Sequence, residues 1–329
     1  MEGSDVLCIK PEEMTDGYGQ FFKSAIGICI LVLMVIGCER GSEYKKVDFS
    51  KKKVAVSQPA PKGSATGSNR LRFAVAAMIS PKETIKFYNE LLTYIGDQVD
   101  REIELLQRKT YVEVNELFPQ RKIDMAFVCT GPYATQRDIY EFEAVATPVV
   151  RGKPYYQSYL IVHHDSNIQN LSALRQQTFA FTDPDSNTGA LVPTYWLYKM
   201  DETPATFFKS TVYTYSHDNS IMAVAKGLVA GATVDSQIWE YFQESASFYT
   251  SQTRIIRKSA PFGSPPLVVS AHMADDLKDQ IRGVVLNMGN NKTGRAILKK
   301  LMIDGFVAPD DNWYRPVQDM SAALHAGKG

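Results

Sequence analysis

Residues 178–189 read Thr-Phe-Ala-Phe-Thr-Asp-Pro-Asp-Ser-Asn-Thr-Gly, and the reading of this stretch decides the fold. Thr178–Phe181 is a short apolar run of the kind a fully buried strand requires. Asp183-Pro184 breaks the run, Ser186 stands where a helix N-cap belongs, and helical periodicity follows over 188–198. A strand, a polar loop and a helix therefore succeed one another within twenty residues. Asn187, Thr188 and Gly189 would present backbone N–H groups and hydroxyls at the helix head, where an oxyanion is well held. Gly189 would let that anion approach the main chain closely. An ordinary Asp-Pro turn with a serine cap is the commoner use of the same residues. Pro193, inside the helical run, predicts a bend.

Ser216-His217-Asp218-Asn219 repeats the arrangement between a strand over 212–215 and a helix over 219–226. His217 can donate a hydrogen bond to an anion beside a helix N-terminus. Alone, it reads more readily as a cap or turn histidine. Joined to the Ser186 loop, it shifts the balance toward a shared oxyanion site. Outward from these loops, strand and helix patterns alternate. Strands are expected over 71–77, 103–107, 125–128 and 144–150, and a Tyr-rich strand over 155–162. Ser80-Pro81-Lys82-Glu83 starts a helix, with Ser80 as cap and Pro81 in the first turn. Segment 112–118 suits strand or helix. After 172–174 the series restarts, with strands at 178–181, 231–234, 254–256 and 267–270 and helices at 238–244, 275–288 and 293–303. Two α/β series of roughly 90 residues predict two α/β lobes that bind ligand at the carboxyl ends of their strands. No repeat marks a solenoid.

The 329 residues carry 36 basic and 36 acidic side chains, which argues against a general polyanion or nucleic-acid binder. Cys8, Cys29, Cys38 and Cys129 form no CxxC pair and the five histidines are scattered, so no metal site is expected. No nucleophile elbow or catalytic carboxylate pair points to an enzyme, and no cofactor is implied.

Residues 25–37 (AIGICILVLMVIG), preceded by Lys23, have the length of a signal-peptide core and are too short to span a membrane comfortably. They end in Val35-Ile36-Gly37-Cys38, which resembles a bacterial lipobox with Cys38 as the lipidated residue. The first twenty residues carry five acidic groups against Lys10, unlike a basic leader, and a start at Met14 removes part of that discrepancy. Cleavage before Cys38 removes two basic and five acidic groups, leaving 34 against 31, and Cys129 becomes the sole free thiol. Residues 38–70, rich in Lys, Ser, Pro and Gly, read as a flexible tether. The expected organisation is a signal peptide over 1–37, a lipid-anchored linker over 38–70, lobe 1 over 71–160 and 257–329, and lobe 2 over 161–256.

In order and spacing, several motifs between 71 and 306 resemble the periplasmic phosphonate- and phosphite-binding proteins of ABC importers. They are Tyr111, Ile123-Asp124-Met125-Ala126-Phe127, Tyr156 in PYYQSYLIV, Asp165-Ser166-Asn167-Ile168 before Leu171-Ser172-Ala173-Leu174, FTDPDSNTGALVP, and Ser216-His217-Asp218-Asn219. The resemblance implies an α/β two-lobed Venus flytrap of type II with two hinge crossings. It also implies a small oxyanion ligand, an ABC permease and ATPase as partners, and a place on the periplasmic or extracytoplasmic face of a bacterial envelope, here lipid-anchored to the membrane. It sets Ser186, Asn187 and Thr188 in the phosphonate cradle, where the family often has Ser-Thr-Ser, and adds His217, Tyr111 and Tyr156. The carboxylates that hold an aminophosphonate's ammonium in some members correspond to Gln237 and Pro265, so phosphite, phosphate or a small phosphonate suits this chain better. Asp235 is a further candidate contact. Cys129, followed by Thr130-Gly131-Pro132-Tyr133, ends a first-lobe strand. Its ordinary reading is a small buried hydrophobe. The alternative is a soft-ligand contact, with Tyr133 nearby, as in arsenite-responsive relatives that signal to a membrane histidine kinase.

Overall fold

The computed structural model describes residues 70–76 and 81–326, all within the unit Ala65–Gly329. The expected leader, Cys38, the tether up to residue 69 and the Ser80 cap lie outside the described residues.

The described residues open with β1 (Arg70–Ala76), β2 (Glu102–Arg108), β3 (Met125–Phe127) and β4 (Phe142–Val149). The chain crosses through a short β5 (Tyr155–Tyr156) and builds a second sheet from β6 (Ser158–His163), β7 (Thr178–Phe181), β8 (Ser210–Tyr213), β9 (Gly231–Asp235) and β10 (Thr253–Lys258). It returns through β11 (Phe262–Gly263) and completes the first sheet with β12 (Leu267–Ser270) and β13 (Gly305–Val307). The strand orders are β13-β4-β12-β3-β1-β2 and β10-β6-β9-β7-β8. β1 runs parallel to both neighbours, as does β7, and both are mostly buried, as continuous apolar runs require. β12 runs antiparallel to β3 and β4, and β6 antiparallel to β9 and β10, so each sheet is mixed. This is the α/β two-domain architecture of type II periplasmic binding proteins. The second sheet includes Ser158 and Lys258, slightly beyond the 161–256 expected for lobe 2.

The Tyr-rich stretch is two strands rather than one. Gln157 interrupts it, because its backbone N–H goes to Ser236 Oγ at 2.9 Å instead of to a ladder. Tyr156 therefore stays in the hinge and Tyr159 enters the second sheet. The two crossings are zipped together, with Tyr156 opposite Phe262 and Tyr155 opposite Gly263. A Cβ on Gly263 would lie 2.8 Å from the Tyr314 ring, so glycine is required there. Tyr314 closes the hinge layer by bonding Thr147 Oγ1 and the Ser264 carbonyl, each at 3.0 Å. The C-terminal helix Arg315–Ala326 packs on helix Thr130–Gln136 of the first lobe and on helix Val192–Tyr198 of the second.

Two local readings change. Segment 112–118 begins as the helix Tyr111–Asn115, because Thr110 and Glu113 form a capping box at its head. Pro193, where a bend is expected, does not stand inside a continuous α-helix. Instead Asn187–Leu191 is a single π turn, and Pro193 falls in the first turn of Val192–Tyr198. The ring removes one N–H donor, and the Gly189 carbonyl accepts instead from the Thr182 N–H at 3.2 Å. The Thr188 carbonyl accepts from Ser158 Oγ at 2.7 Å, which fastens the wide turn to β6.

Candidate functional site

Strand β7 ends in the loop that forms one wall of the site. Ser186 caps the π turn by accepting from the Gly189 N–H at 3.0 Å, so its own O–H remains free to donate. Close packing enforces this turn: a Cβ on Gly189 would sit 2.5 Å from Thr182. Asn187 spans toward the hinge, with Nδ2 donating to Tyr156 Oη at 3.0 Å. Because Tyr156 accepts there, its hydroxyl proton can serve another acceptor.

Ser216 caps the helix His217–Ala225 and places His217 at its first residue. Tyr215, just before, holds φ at +62°, a left-handed conformation costly for a bulky side chain and tolerated where the surroundings impose it. His217 Nδ1 accepts from the Asp235 backbone N–H at 3.1 Å. That bond forces the neutral tautomer with the proton on Nε2, which points toward Tyr111 Oη at 3.5 Å. Burial drives the imidazole down to about 3, so it is a neutral donor at physiological pH.

The first lobe meets this wall at several atoms. The Tyr111 N–H donates to Asp183 Oδ2 at 3.1 Å, and the Asn187 N–H donates to Cys129 Sγ at 3.4 Å. Lys109 lies over the Tyr215 ring, 4.6 Å from its centroid. Tyr111, Tyr156, Ser186, Asn187, Thr188 and His217 are each at most 3% exposed. Burial raises both tyrosine hydroxyls well above their ordinary range, so they too are neutral donors. Cys129 does face the second lobe. Burial pushes its thiol up to about 12, and the Asn187 and Gly131 amides only partly oppose that.

Asp235 acts through the main chain. Its Oδ1 accepts from the Gln237 and Ile238 N–H groups at 2.7 and 3.3 Å, capping the helix Ser236–Glu244 while its own N–H orients His217. Burial lifts this carboxyl to about 7. Asp183 was not singled out from sequence, although it lies in the quoted loop. It receives N–H groups from Tyr111 and Asp185, and burial raises its pKa as well. Gly131 is a second unnoticed contact: a Cβ there would meet the Asp185 carbonyl at 2.7 Å.

Tyr133 does not join the site. Its ring packs edge-on against Tyr314 and its hydroxyl approaches Asp311 and Arg137 within the first lobe. Gln237 and Pro265 line one apolar cavity beside the hinge, with Tyr88, Phe127, Ile238 and Glu240. Glu240 there is held by Tyr159 Oη at 2.6 Å and by Arg151 at 3.3 Å. The histidines are less scattered than the sequence implied, since ligand atoms of His163, His164 and Asp165 lie within 4.8 Å of one another. That cluster is at the end of β6 remote from Ser158, outside the cleft.

With this geometry in place, comparison with known proteins is direct. A family model described as "ABC transporter, phosphonate, periplasmic substrate-binding protein" matches residues 73–314. The phosphonates-binding periplasmic protein of Escherichia coli K12 is 31% identical over 179 residues, which span 53% of this chain and only about half, 53%, of that protein. A phosphate-import protein of Mycolicibacterium smegmatis is 25% identical over 224 residues, covering 63% of this chain and 68% of its own. Among solved structures, a binding protein component of an ABC phosphonate transporter from Pseudomonas aeruginosa superposes with a TM-score of 0.73 at 25% identity, covering 78% of this chain and 86% of its own.

Proposed function

The chain belongs to the family of periplasmic substrate-binding proteins of ABC phosphonate transporters, and from that premise we propose that its interlobe cleft captures phosphite, phosphate or a small phosphonate for delivery to an ABC permease and ATPase. Proteins of this family are solute binders, not enzymes. The observation that carries the proposal is the convergence of Tyr111, Tyr156, Ser186, Asn187, Thr188 and His217, from both lobes and the hinge, in one buried cluster.

The chemistry is that of neutral recognition. The serine and tyrosine hydroxyls and the Nε2–H of His217 are directed donors, and buried donors to an anion are stronger than neutral pairs. A neutral cradle also avoids the desolvation cost of burying a cation. Closure follows from bridging. A ligand held by both lobes stabilises the shut form by its differential affinity for it. The names of the Escherichia and Mycolicibacterium relatives, phosphonates-binding and phosphate-import, bracket the ligand class. An amino-phosphonate fits less well, because Gln237 and Pro265 offer its ammonium no carboxylate and Glu240 is already engaged. A thiol pushed up to about 12 is a poor soft-metalloid ligand, which weighs against an arsenite sensor. Attachment to the membrane through acylated Cys38 is part of the same proposal, and loss of a Cys38→Ala protein from the membrane fraction would support it. The cleft itself is tested by calorimetry with phosphite, phosphate, methylphosphonate and arsenite. Phosphorus ligands should bind and arsenite should not.

A further inference from the structure

We propose that Asn187 Oδ1 accepts a hydrogen bond from a protonated oxygen of the bound anion, so that the site selects a phosphorus oxyanion carrying one P–O–H group. This rests on the phosphorus-oxyanion reading of the cleft and specifies the form of the ligand.

The argument is a count of donors and acceptors. Around the cradle, Ser186 Oγ, Tyr156 Oη and His217 each have their acceptor capacity drawn on by the protein, leaving a proton to give. Asn187 is the reverse. Its Nδ2 is spent on Tyr156 and its backbone N–H on Cys129, while Oδ1 is buried and has no hydrogen-bond partner among the described residues. A buried carbonyl oxygen left unpaired is destabilising, so it is retained where something else satisfies it. A fully ionised oxyanion presents only acceptors and would repel this atom. An anion with one O–H offers acceptors to the surrounding donors and a single donor to Asn187.

The titratable groups in and beside the cradle are Cys129, Tyr111 and Tyr156 from the first lobe and hinge, and Asp183, Asp185, His217 and Asp235 from the second. Among the described residues no lysine or arginine bonds the cradle residues, so no basic group described there favours the fully ionised ligand.

Ligand chemistry supplies the test. Methylphosphonate and phosphite lose their only O–H at the second ionisation, since the remaining hydrogen of phosphite is on phosphorus. Phosphate keeps one as hydrogenphosphate. Calorimetric affinities of the full chain should therefore fall about tenfold per pH unit above the ligand's own second pKa for methylphosphonate and for phosphite, at different midpoints. Affinity for phosphate should persist through its second ionisation. Titration of Asp235 would instead move all three ligands at one common pH. A shared midpoint, a flat profile for methylphosphonate, or an Asn187→Ala protein that keeps the ligand-tracking fall would overturn the inference while leaving phosphorus binding intact. Failure of all three ligands to bind at any pH would overturn the underlying reading instead.

Discussion

The backbone N–H of Tyr111 in the first lobe donates to Asp183 Oδ2 in the second at 3.1 Å, so a main-chain group of one lobe is paired with a buried carboxylate of the other. Asp183 also takes the N–H of Asp185 at 2.9 Å, and thus shapes its own loop while holding the lobes together. Asp183→Ala would leave both amides without this acceptor, at a cost of about 1–3 kcal/mol for a buried donor. The Tyr111 part of that cost is felt only in the shut form. Ligand affinity should fall roughly tenfold or more, and small-angle scattering with saturating ligand should report a larger open fraction than in the wild type.

Gly131 isolates closure from folding. Within helix Thr130–Gln136 alanine is the better helix former, so Gly131→Ala should not lower thermal stability of the open protein. A Cβ 2.7 Å from the Asp185 carbonyl and 3.3 Å from the Asn187 nitrogen should still prevent full closure. Calorimetry is expected to show weakened phosphorus-ligand binding with an unimpaired melting temperature. Unchanged affinity would mean that the lobes need not approach this closely.

Two buried groups make opposite pH contributions to stability. His217 stays neutral in the fold down to about 3, against an ordinary value of 6.5. In that window the unfolded chain binds the extra proton, so this contribution rises with pH. Asp235 remains protonated in the fold up to about 7, against 3.8 ordinarily, so its contribution falls as pH rises through that window, and the raised Asp183 acts in the same direction. The two slopes oppose each other in the wild type. Urea midpoints of His217→Gln should decline with rising pH through the acidic range, and those of Asp235→Asn should climb more steeply than the wild type's. Parallel profiles for all three proteins would show that these groups do not titrate this way.

Cys129→Ser changes little volume and keeps an acceptor for the Asn187 N–H. Phosphorus-ligand affinity should stay within a few-fold of wild type. Arsenite binding that disappears in this variant would restore the sensor reading.

The candidate-site wall is legible because it is local. Strand, polar loop and capped helix are adjacent in sequence at Ser186 and again at Ser216, and caps are written in neighbouring residues. The hinge is not. Gln157 leaves its ladder because of Ser236, seventy-nine residues away, and only that contact divides Tyr156 from Tyr159. Tyr133 was misplaced for a helical reason. It lies two residues after Gly131, roughly 200° around the helix axis, so when Gly131 faces the second lobe Tyr133 must face Tyr314. The place of Pro193 in a first turn after a π turn is not legible, because the sequence does not reveal that Thr182 satisfies the freed Gly189 carbonyl.

The most direct test of the account is titration of the purified protein, and of its Ser186→Ala and His217→Ala forms, with phosphite, methylphosphonate and phosphate. The account predicts one site per chain for at least one of these ligands, with affinity lost by roughly tenfold or more in each variant, the scale of one buried hydrogen bond to a charged group. Binding that both substitutions leave unchanged, or no phosphorus ligand bound at all, would contradict it.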